Sequence, residues 1–559
     1  MALRRLCCVD YINIALGFLG SFGLFVFGIY VLSAGLQKAA GNKMKRILEK
    51  LSKKRWQGVL FGAGVTAIIQ SSTATTVTAI GFVNAGIMEL TQVVGIIFGA
   101  NLGTVTTSWL IAVTDWFAFL RPSTIGAVCA SLGACMLLFS KKKKIKQAGE
   151  IIVGFGVMFM GLTLMSDAVR PLRELEGITQ MFSSIGANPV LGILAGILVS
   201  GVIQSSTASI GILQSMAIAG LTVPWNAAVY IILGVNIGTT ITALMSSVGA
   251  SKNAKAAAYI HLLYNVISVI IFVVPIAVYF TFVNQALAVS VISNTAISGI
   301  HTIFNIASLI ILYPFANALV FVALKMTGKN KNGKNGAGAD GSQPVHLDLR
   351  VLKTPAFALE SSEKEIYRMA AITFDNLTLA IGCFFDKTQD TGSVYAQEDN
   401  IDKLEAAIAA YLVEISNEHL SKREIDSIAS LFHILTDIER IADHANNIAE
   451  LTDNMRESDS PCLEDSLPEL KEMCEVTISC YNNAIKSLMM NDKILAQKAV
   501  DEESAVDELE RTHRTTHINR LSTGEYSMRS GVAFLDMLNN LERITDHSRN
   551  IAEAVLSRR

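Results

Sequence analysis

Hydrophobic positions fall into two regimes along the chain. Up to about residue 325 they run in long blocks with few or no charges, at 12–37, 56–87, 90–112, 121–140, 147–168, 186–219, 223–247, 256–282 and 290–324; between 56 and 114 Glu89 is the only charge. About 20 consecutive apolar residues suffice to cross a bilayer, so these blocks predict membrane helices and helical hairpins. From 355 to 559 apolar residues instead recur at intervals of three and four between charges, with few prolines. That period predicts amphipathic helices packed as bundles. The whole chain is expected to be all-α.

The membrane half repeats itself. Gln70-Ser71-Ser72-Thr73-Ala74 returns as Gln204-Ser205-Ser206-Thr207-Ala208. Phe22 to Gly28 matches Phe155 to Gly161, and Gly99-Ala100-Asn101-Leu102-Gly103-Thr104 matches Gly234-Val235-Asn236-Ile237-Gly238-Thr239. Three blocks keep register across about eighty residues, which marks one ancestral unit copied.

Charge changes the picture by separating the halves. Residues 1–350 hold 25 Lys and Arg against 10 Asp and Glu, whereas 351–559 hold 21 against 38, so an overall charge of −2 conceals a basic and an acidic protein. The Gly-, Asn- and Lys-rich stretch between Lys325 and Asp348 cannot support a core and reads as a flexible linker. The expected division is 1–140 as membrane repeat 1, 141–325 as repeat 2 plus a final helix, 326–354 as linker and 355–559 as a soluble helical domain.

Basic clusters at Lys38–Arg55, Lys141–Lys146, Lys252/Lys255 and Lys325–Lys334 are assigned to the cytoplasm by the positive-inside rule. One path satisfies all four, with 56–87 dipping in from the cytoplasmic face and 186–219 from the outer face. The copies are then inverted, and each Gln-Ser-Ser sits at the tip of a re-entrant hairpin. Arg4 and Arg5 fit this path poorly. The eight cysteines show neither metal-ligand spacing nor a disulfide framework, which suits a reducing compartment for the acidic half.

Polar side chains in hydrocarbon must find partners. A single Ser/Thr cluster is ordinarily glue between helices; two in register, each with a Gly-x-Asn-x-Gly-Thr companion, point to a ligand site. Broken helices expose N–H groups to anions and carbonyls to cations, and Ser and Thr hydroxyls serve either. Flanking glycines make each Gly-x-Asn-x-Gly-Thr block a second discontinuity. Thr75, Thr76, Thr78, Ser209 and Ser215 read as packing hydroxyls. His261 and His301 read as structural, with His261 and Asn265 the pair to inspect.

On these paired motifs, residues 10–325 resemble the type II sodium/phosphate cotransporters, specifically the bacterial members. The resemblance implies Na+-coupled phosphate import across the cell inner (plasma) membrane. It implies substrate or ion ligands at Gln70, Ser71, Ser72, Thr73, Gln204, Ser205, Ser206 and Thr207, with Asn101, Thr104, Asn236 and Thr239 beside them. The expected fold is thus a polytopic membrane transporter with two inverted-topology repeats and re-entrant helical hairpins. Apart from Arg121 at the edge of its block, no Lys or Arg lies in these blocks to neutralise a phosphate dianion, so co-bound Na+ is the natural counter-charge.

The acidic half is also duplicated. Asp437-Ile438-Glu439-Arg440-Ile441-Ala442-Asp443-His444 returns as Asn540-Leu541-Glu542-Arg543-Ile544-Thr545-Asp546-His547, and the segment from Glu398 to Glu405 returns more weakly from Glu503 to Glu510. Like charges four apart on one helical face call for something positive nearby. The plain candidates are Arg440 and Arg543 on a solvated face. The sharper one is a metal cluster held by Glu439, Asp443, Glu542 and Asp546, whose hard oxygens suit Mg, Mn or Fe. Over 355–559 the chain resembles PhoU, a pair of three-helix bundles that regulates phosphate uptake. That resemblance implies a cytoplasmic position, a multinuclear divalent or iron cluster and regulatory protein partners.

Other readings are a Na+-coupled carrier of another small anion, or a membrane phosphate sensor. No nucleophile-base-acid set or nucleotide loop supports an enzyme. The acidic charge disfavours nucleic acid.

Overall fold

The computed structural model describes residues 2–49, 55–116, 122–328, 343–352, 354–386, 388–418, 420–457, 467–522 and 528–558. Among them every regular element is helical, with one isolated bridge between Pro224 and Val291. They divide into two compact units, Met1–Asn84 with Met88–Lys331, and Asn332–Arg559 with the turn Ala85–Ile87. Most of the expected linker, 329–342, lies outside the described residues.

The first unit contains α1 (Ala2–Glu49), α2 (Arg55–Ile69), α3 (Ser72–Asn84), α4 (Leu90–Gly103), α5 (Val105–Trp116), α6 (Pro122–Phe139), α7 (Lys143–Val169) and α8 (Glu176–Ala187). It continues with α9 (Pro189–Ile203), α10 (Ser206–Ile218), α11 (Trp225–Gly238), α12 (Thr240–Ser246), α13 (Lys252–Val278), α14 (Gln285–Val289), α15 (Asn294–Leu312) and α16 (Ala316–Met326). Six helices are long and apolar enough to cross a membrane, beginning with Tyr11–Ala39 and ending with Asn294–Met326. Large apolar side chains such as Phe139, Val202 and Phe282 stand exposed on this unit. An apolar exterior of this extent marks a multi-pass membrane protein.

Three features differ from expectation. The basic stretch after residue 37 continues α1 as helix to Glu49. The α6 segment, expected as a full span, is among the shorter apolar helices. Residues 176–187 form a separate amphipathic helix, α8, at 111° to α9; the charges of Arg170, Arg173, Glu174 and Glu176 make this region look like a loop in sequence.

The internal repeat is visible in the packing. Gly28 of α1 lies against the Met158 backbone of α7, and Gly161 of α7 lies against Phe25 of α1. Residues 28 and 161, like 25 and 158, are equivalent in the two copies, so the contact is reciprocal, as at a two-fold axis. The pairs Gly17/Ala168, Phe25/Gly161, Leu32/Gly154 and Gly35/Ile151 run in opposite order, so α1 and α7 are antiparallel.

Each hairpin is anchored by glycine. A Cβ on Gly62 of α2 would fall on the carbonyl oxygen of Ile96 in α4, and one on Gly196 of α9 would fall on that of Ile231 in α11. The equivalents Gly99 and Gly234 meet the Val59 and Ile193 carbonyls. Without a hydrophobic driving force between helices in lipid, such backbone-close packing is a main source of cohesion.

The second unit holds α17 (Pro355–Phe385), α18 (Gly392–Ser416), α19 (Lys422–Glu457), α20 (Leu467–Met490), α21 (Lys493–Ser522) and α22 (Met528–Ser557). Helices α17 to α19 pack as one three-helix bundle and α20 to α22 as another. The bundles join along α19 and α22, where the repeat again acts reciprocally: His444 Nδ1 meets Asn540 Oδ1 at 2.8 Å and His547 Nδ1 meets Asp437 Oδ1 at 2.9 Å.

Candidate functional site

Both Gln-Ser-Ser motifs break a helix, and they do so identically. Gln70 and Gln204 each have φ of 58°, the left-handed region, and together with Asn491 they are the non-glycine residues with positive φ among those described. Such a conformation costs an L-residue about 1–2 kcal/mol and persists where the surroundings impose it. Each Gln N–H closes the preceding helix, onto the carbonyl of Thr66 or of Ser200, at 2.7 Å in both cases. The following serine caps the next helix: Ser71 Oγ accepts from the Ala74 N–H at 3.1 Å and Ser205 Oγ from that of Ala208 at 3.2 Å. One turn on, Thr75 and Ser209 donate their hydroxyls to the Ser71 and Ser205 carbonyls.

The two tips meet. Thr73 Oγ1 donates to the Gln204 carbonyl at 3.4 Å, although 131 residues separate them. Ser72, Ser206 and Thr207 are buried at the starts of α3 and α10. The starts of two helices thus touch through a hydroxyl and a carbonyl, and a helix start with hydroxyls beside it is chemistry fit for an oxyanion.

The tips are not in the same state. Gln70 is buried, donates to the Ala67 carbonyl and accepts from Thr107 Oγ1. Gln204 is exposed, and Thr242, the register equivalent of Thr107, has a buried hydroxyl with no partner.

The Gly-x-Asn-x-Gly-Thr blocks, expected as a second discontinuity, do not break their helices. Helices α4 and α11 end at Gly103 and Gly238 and α5 and α12 begin at Val105 and Thr240, with Thr104 and Thr239 between them still in right-handed helical dihedrals, so 90–113 and 225–246 each run as one span. Thr104 Oγ1 donates to the Asn101 carbonyl at 2.7 Å, as Thr239 does to that of Asn236 at 2.9 Å. Asn101 and Asn236 each turn their amide nitrogen back on their own helix, to Ile97 and Ile232. Asn101 Oδ1 also meets His261 Nε2 at 3.3 Å. Asn265 Nδ2 donates to the His261 carbonyl. Thr107 brings α5 to Gln70, and sequence reading missed it, although its place three residues beyond Thr104 was available as a signal.

In the second unit the four carboxylates expected to form one cluster belong to two. Glu439 and Asp443 of α19 face Asp402 and Glu405 of α18, whereas Glu542 and Asp546 of α22 face Asp507 and Glu510 of α21. Helical spacing puts residues four apart on one face but does not say which neighbour that face meets. Burial first, then the adjacent aspartate, pushes the Glu439 and Glu542 carboxyls above their ordinary range, against the opposing pull of Arg440 and Arg543. Those arginines bridge Asp443 at 3.1 Å and Asp546 at 3.3 Å. Carboxylate oxygens of Glu503, Asp507 and Asp546 lie within 4.8 Å of one another and could hold a hard cation. Arg549, at 3.0 Å from the buried Glu503, competes for that place.

The sequence profile of the Na+/Pi-cotransporter family matches residues 24–167 and 173–304, and that of the PhoU domain matches 366–452 and 470–555. The chain belongs to the Na+/Pi-cotransporter family and carries C-terminal PhoU domains. It is similar to the "Putative inorganic phosphate export protein YjbB" of Salmonella typhimurium, with 22% identity across 96% of each chain. It is also similar to human "Sodium-dependent phosphate transport protein 2B", 36% identical over 129 residues, 22% of this chain and 19% of that one. A solved PhoU structure from Pseudomonas aeruginosa covers 36% of this chain and 95% of its own, at 23% identity and a TM-score of 0.34.

Proposed function

We propose that the chain imports inorganic phosphate coupled to Na+, using the two Gln-Ser-Ser tips as its site. The carrying observation is the pair of left-handed glutamines with their tips joined from Thr73 to the Gln204 carbonyl. Gln70, Ser71, Ser72, Thr73, Gln204, Ser205, Ser206 and Thr207 would line the site, with Asn101, Thr104, Asn236 and Thr239 beside it. Helix N-termini and hydroxyls serve the phosphate oxygens, and freed carbonyls serve Na+. The antiparallel α1 and α7, equivalent in the two copies, support inverted repeats. A negative interior opposes each phosphate charge by about 2.3 kcal/mol per 100 mV, so uptake against it needs companion cations.

Phosphate uptake into proteoliposomes with and without an inward Na+ gradient tests this, and equal uptake in both would sink coupling. Outward transport is the second reading, favoured by similarity over 96% of the chain to YjbB, which is named as an inorganic phosphate export protein. Vesicles loaded with labelled phosphate, with Na+ placed on either side in turn, distinguish the directions.

The PhoU unit would lie in the cytoplasm and adjust transport, with its carboxylate groups holding hard divalent cations or iron. A chain ending before Gln343 should lose any response of uptake to internal phosphate; an identical response would remove the regulatory role.

A further inference from the structure

Gln214 lies on α10, ten residues beyond the second Gln-Ser-Ser, and is 0% exposed. Its amide nitrogen sits among three oxygens: the Ser108 carbonyl at 3.1 Å, Asn294 Oδ1 at 2.8 Å and Ser298 Oγ at 3.0 Å. An amide nitrogen carries two hydrogens, so three acceptors exceed what it can supply. Ser298 offers no relief, because its hydroxyl donates to the same Ser108 carbonyl at 2.8 Å. Meanwhile Gln214 Oε1 is buried with no hydrogen-bond partner. The knot is rich in oxygen and short of donors, the reverse of the balance that polar glue between helices maintains.

A small cation answers the excess of acceptors and gives Oε1 a partner, with Nε2 taking the place that Oε1 leaves. The two ends of an amide are nearly equal in size, so a half-turn brings Oε1 to the three oxygens without disturbing the packing. A cation among the four then turns an excess of acceptors into a ligand set. No carboxylate is among them, and neutral oxygens alone suit a monovalent ion better than a divalent one.

We propose that Gln214 Oε1, Asn294 Oδ1, Ser298 Oγ and the Ser108 carbonyl form a Na+ site separate from the Gln-Ser-Ser tips. It rests on the Na+-coupled reading and deepens it by giving the ion a location. The site joins α5 of the first copy, α10 of the second and the late helix α15, so occupancy ties three elements that no local sequence motif connects. A reporter stands beside it: Trp109 Nε1–H donates to Thr302 Oγ1 at 2.8 Å, and Thr302 donates to the Ser298 carbonyl at 2.8 Å.

The test uses full-length protein in detergent, with NaCl exchanged for choline chloride at constant ionic strength and both tryptophan fluorescence and thermal midpoint recorded. Wild type should respond saturably to Na+, and Trp109→Phe should lose the fluorescence change while keeping the thermal one. Gln214→Leu and Ser298→Ala should each raise the half-saturating Na+ concentration at least tenfold, whereas Gln214→Glu, which keeps an oxygen, should retain binding. An unchanged half-saturation in the Leu and Ala variants overturns the site while leaving Na+ coupling intact. Absence of any Na+ response in wild type, with Na+-independent uptake in proteoliposomes, overturns both. Should Gln214→Leu fail to fold, Ser298→Ala against Gln214→Glu decides.

Discussion

The hydroxyl of Thr73 donates to the carbonyl oxygen of Gln204, so the breaks of the two copies touch through one side chain and one backbone atom. Thr73→Val keeps the shape and removes the donor. It should raise the half-saturating phosphate concentration several-fold, because one neutral hydrogen bond contributes about 0.5–1.5 kcal/mol. Membrane expression should be unaltered. Labelled-phosphate uptake against concentration is the measurement, and wild-type kinetics would show that the tips meet without consequence for the substrate.

Glycine separates conformation from chemistry at the two left-handed positions. Gln204→Gly should raise the thermal stability by about 1 kcal/mol, since glycine adopts positive φ freely and the Gln204 side chain is exposed. Gln70→Gly should gain little, because it also loses the bonds to Thr107 and Ala67. Both should abolish phosphate uptake. Melting temperatures beside uptake would expose any variant that merely unfolds.

Close packing can be tested by a matched pair. Gly62→Ala should destabilise by about 2 kcal/mol or more, since its methyl group meets a carbonyl that belongs to another helix. Gly64→Ala, two residues along the same helix, meets nothing within 4 Å and should be neutral or mildly stabilising. Equal detergent stability of the two would contradict the crossing.

In the PhoU unit the raised carboxyls fix the sign of a pH effect. Between the ordinary Glu value of 4.5 and their raised values, the folded unit holds protons that the unfolded chain has released, so stability falls as pH rises through that window. Glu439→Gln with Glu542→Gln in the fragment 343–559 should raise the melting temperature at pH 7.5. Mg2+ or Mn2+ should stabilise the unsubstituted fragment more than this variant. Burial holds His444 below its ordinary value of 6.5, which acts oppositely on acidification, so His444→Gln serves as the control background. A melting curve with identical pH dependence in all forms would remove the electrostatic account.

Much of the architecture was legible because it is written twice. Gln70 and Gln204 are 134 positions apart, and a repeat that keeps register through Asn101/Asn236 and Gly28/Gly161 predicts equivalent residues in equivalent places, as the two left-handed glutamines are. What escaped depends on neighbours remote in sequence. Gln214 stands in an ordinary apolar helix, and only the approach of Ser108 and Ser298 makes it unusual. Likewise Glu439 and Glu542 look like members of one set by motif, yet each answers to the helix beside it, α18 or α21.

Where Gly62 faces Ile96 and Gly196 faces Ile231, the spacing between helices is set by the thickness of the peptide backbone itself. Side-chain substitution cannot retune a gap that contains no side chain. Drift in sequence is therefore free to alter the tips, where a hydroxyl can be traded for another group, but not the frame that holds them apart. A carrier built on such a ruler can change its cargo while keeping its gauge.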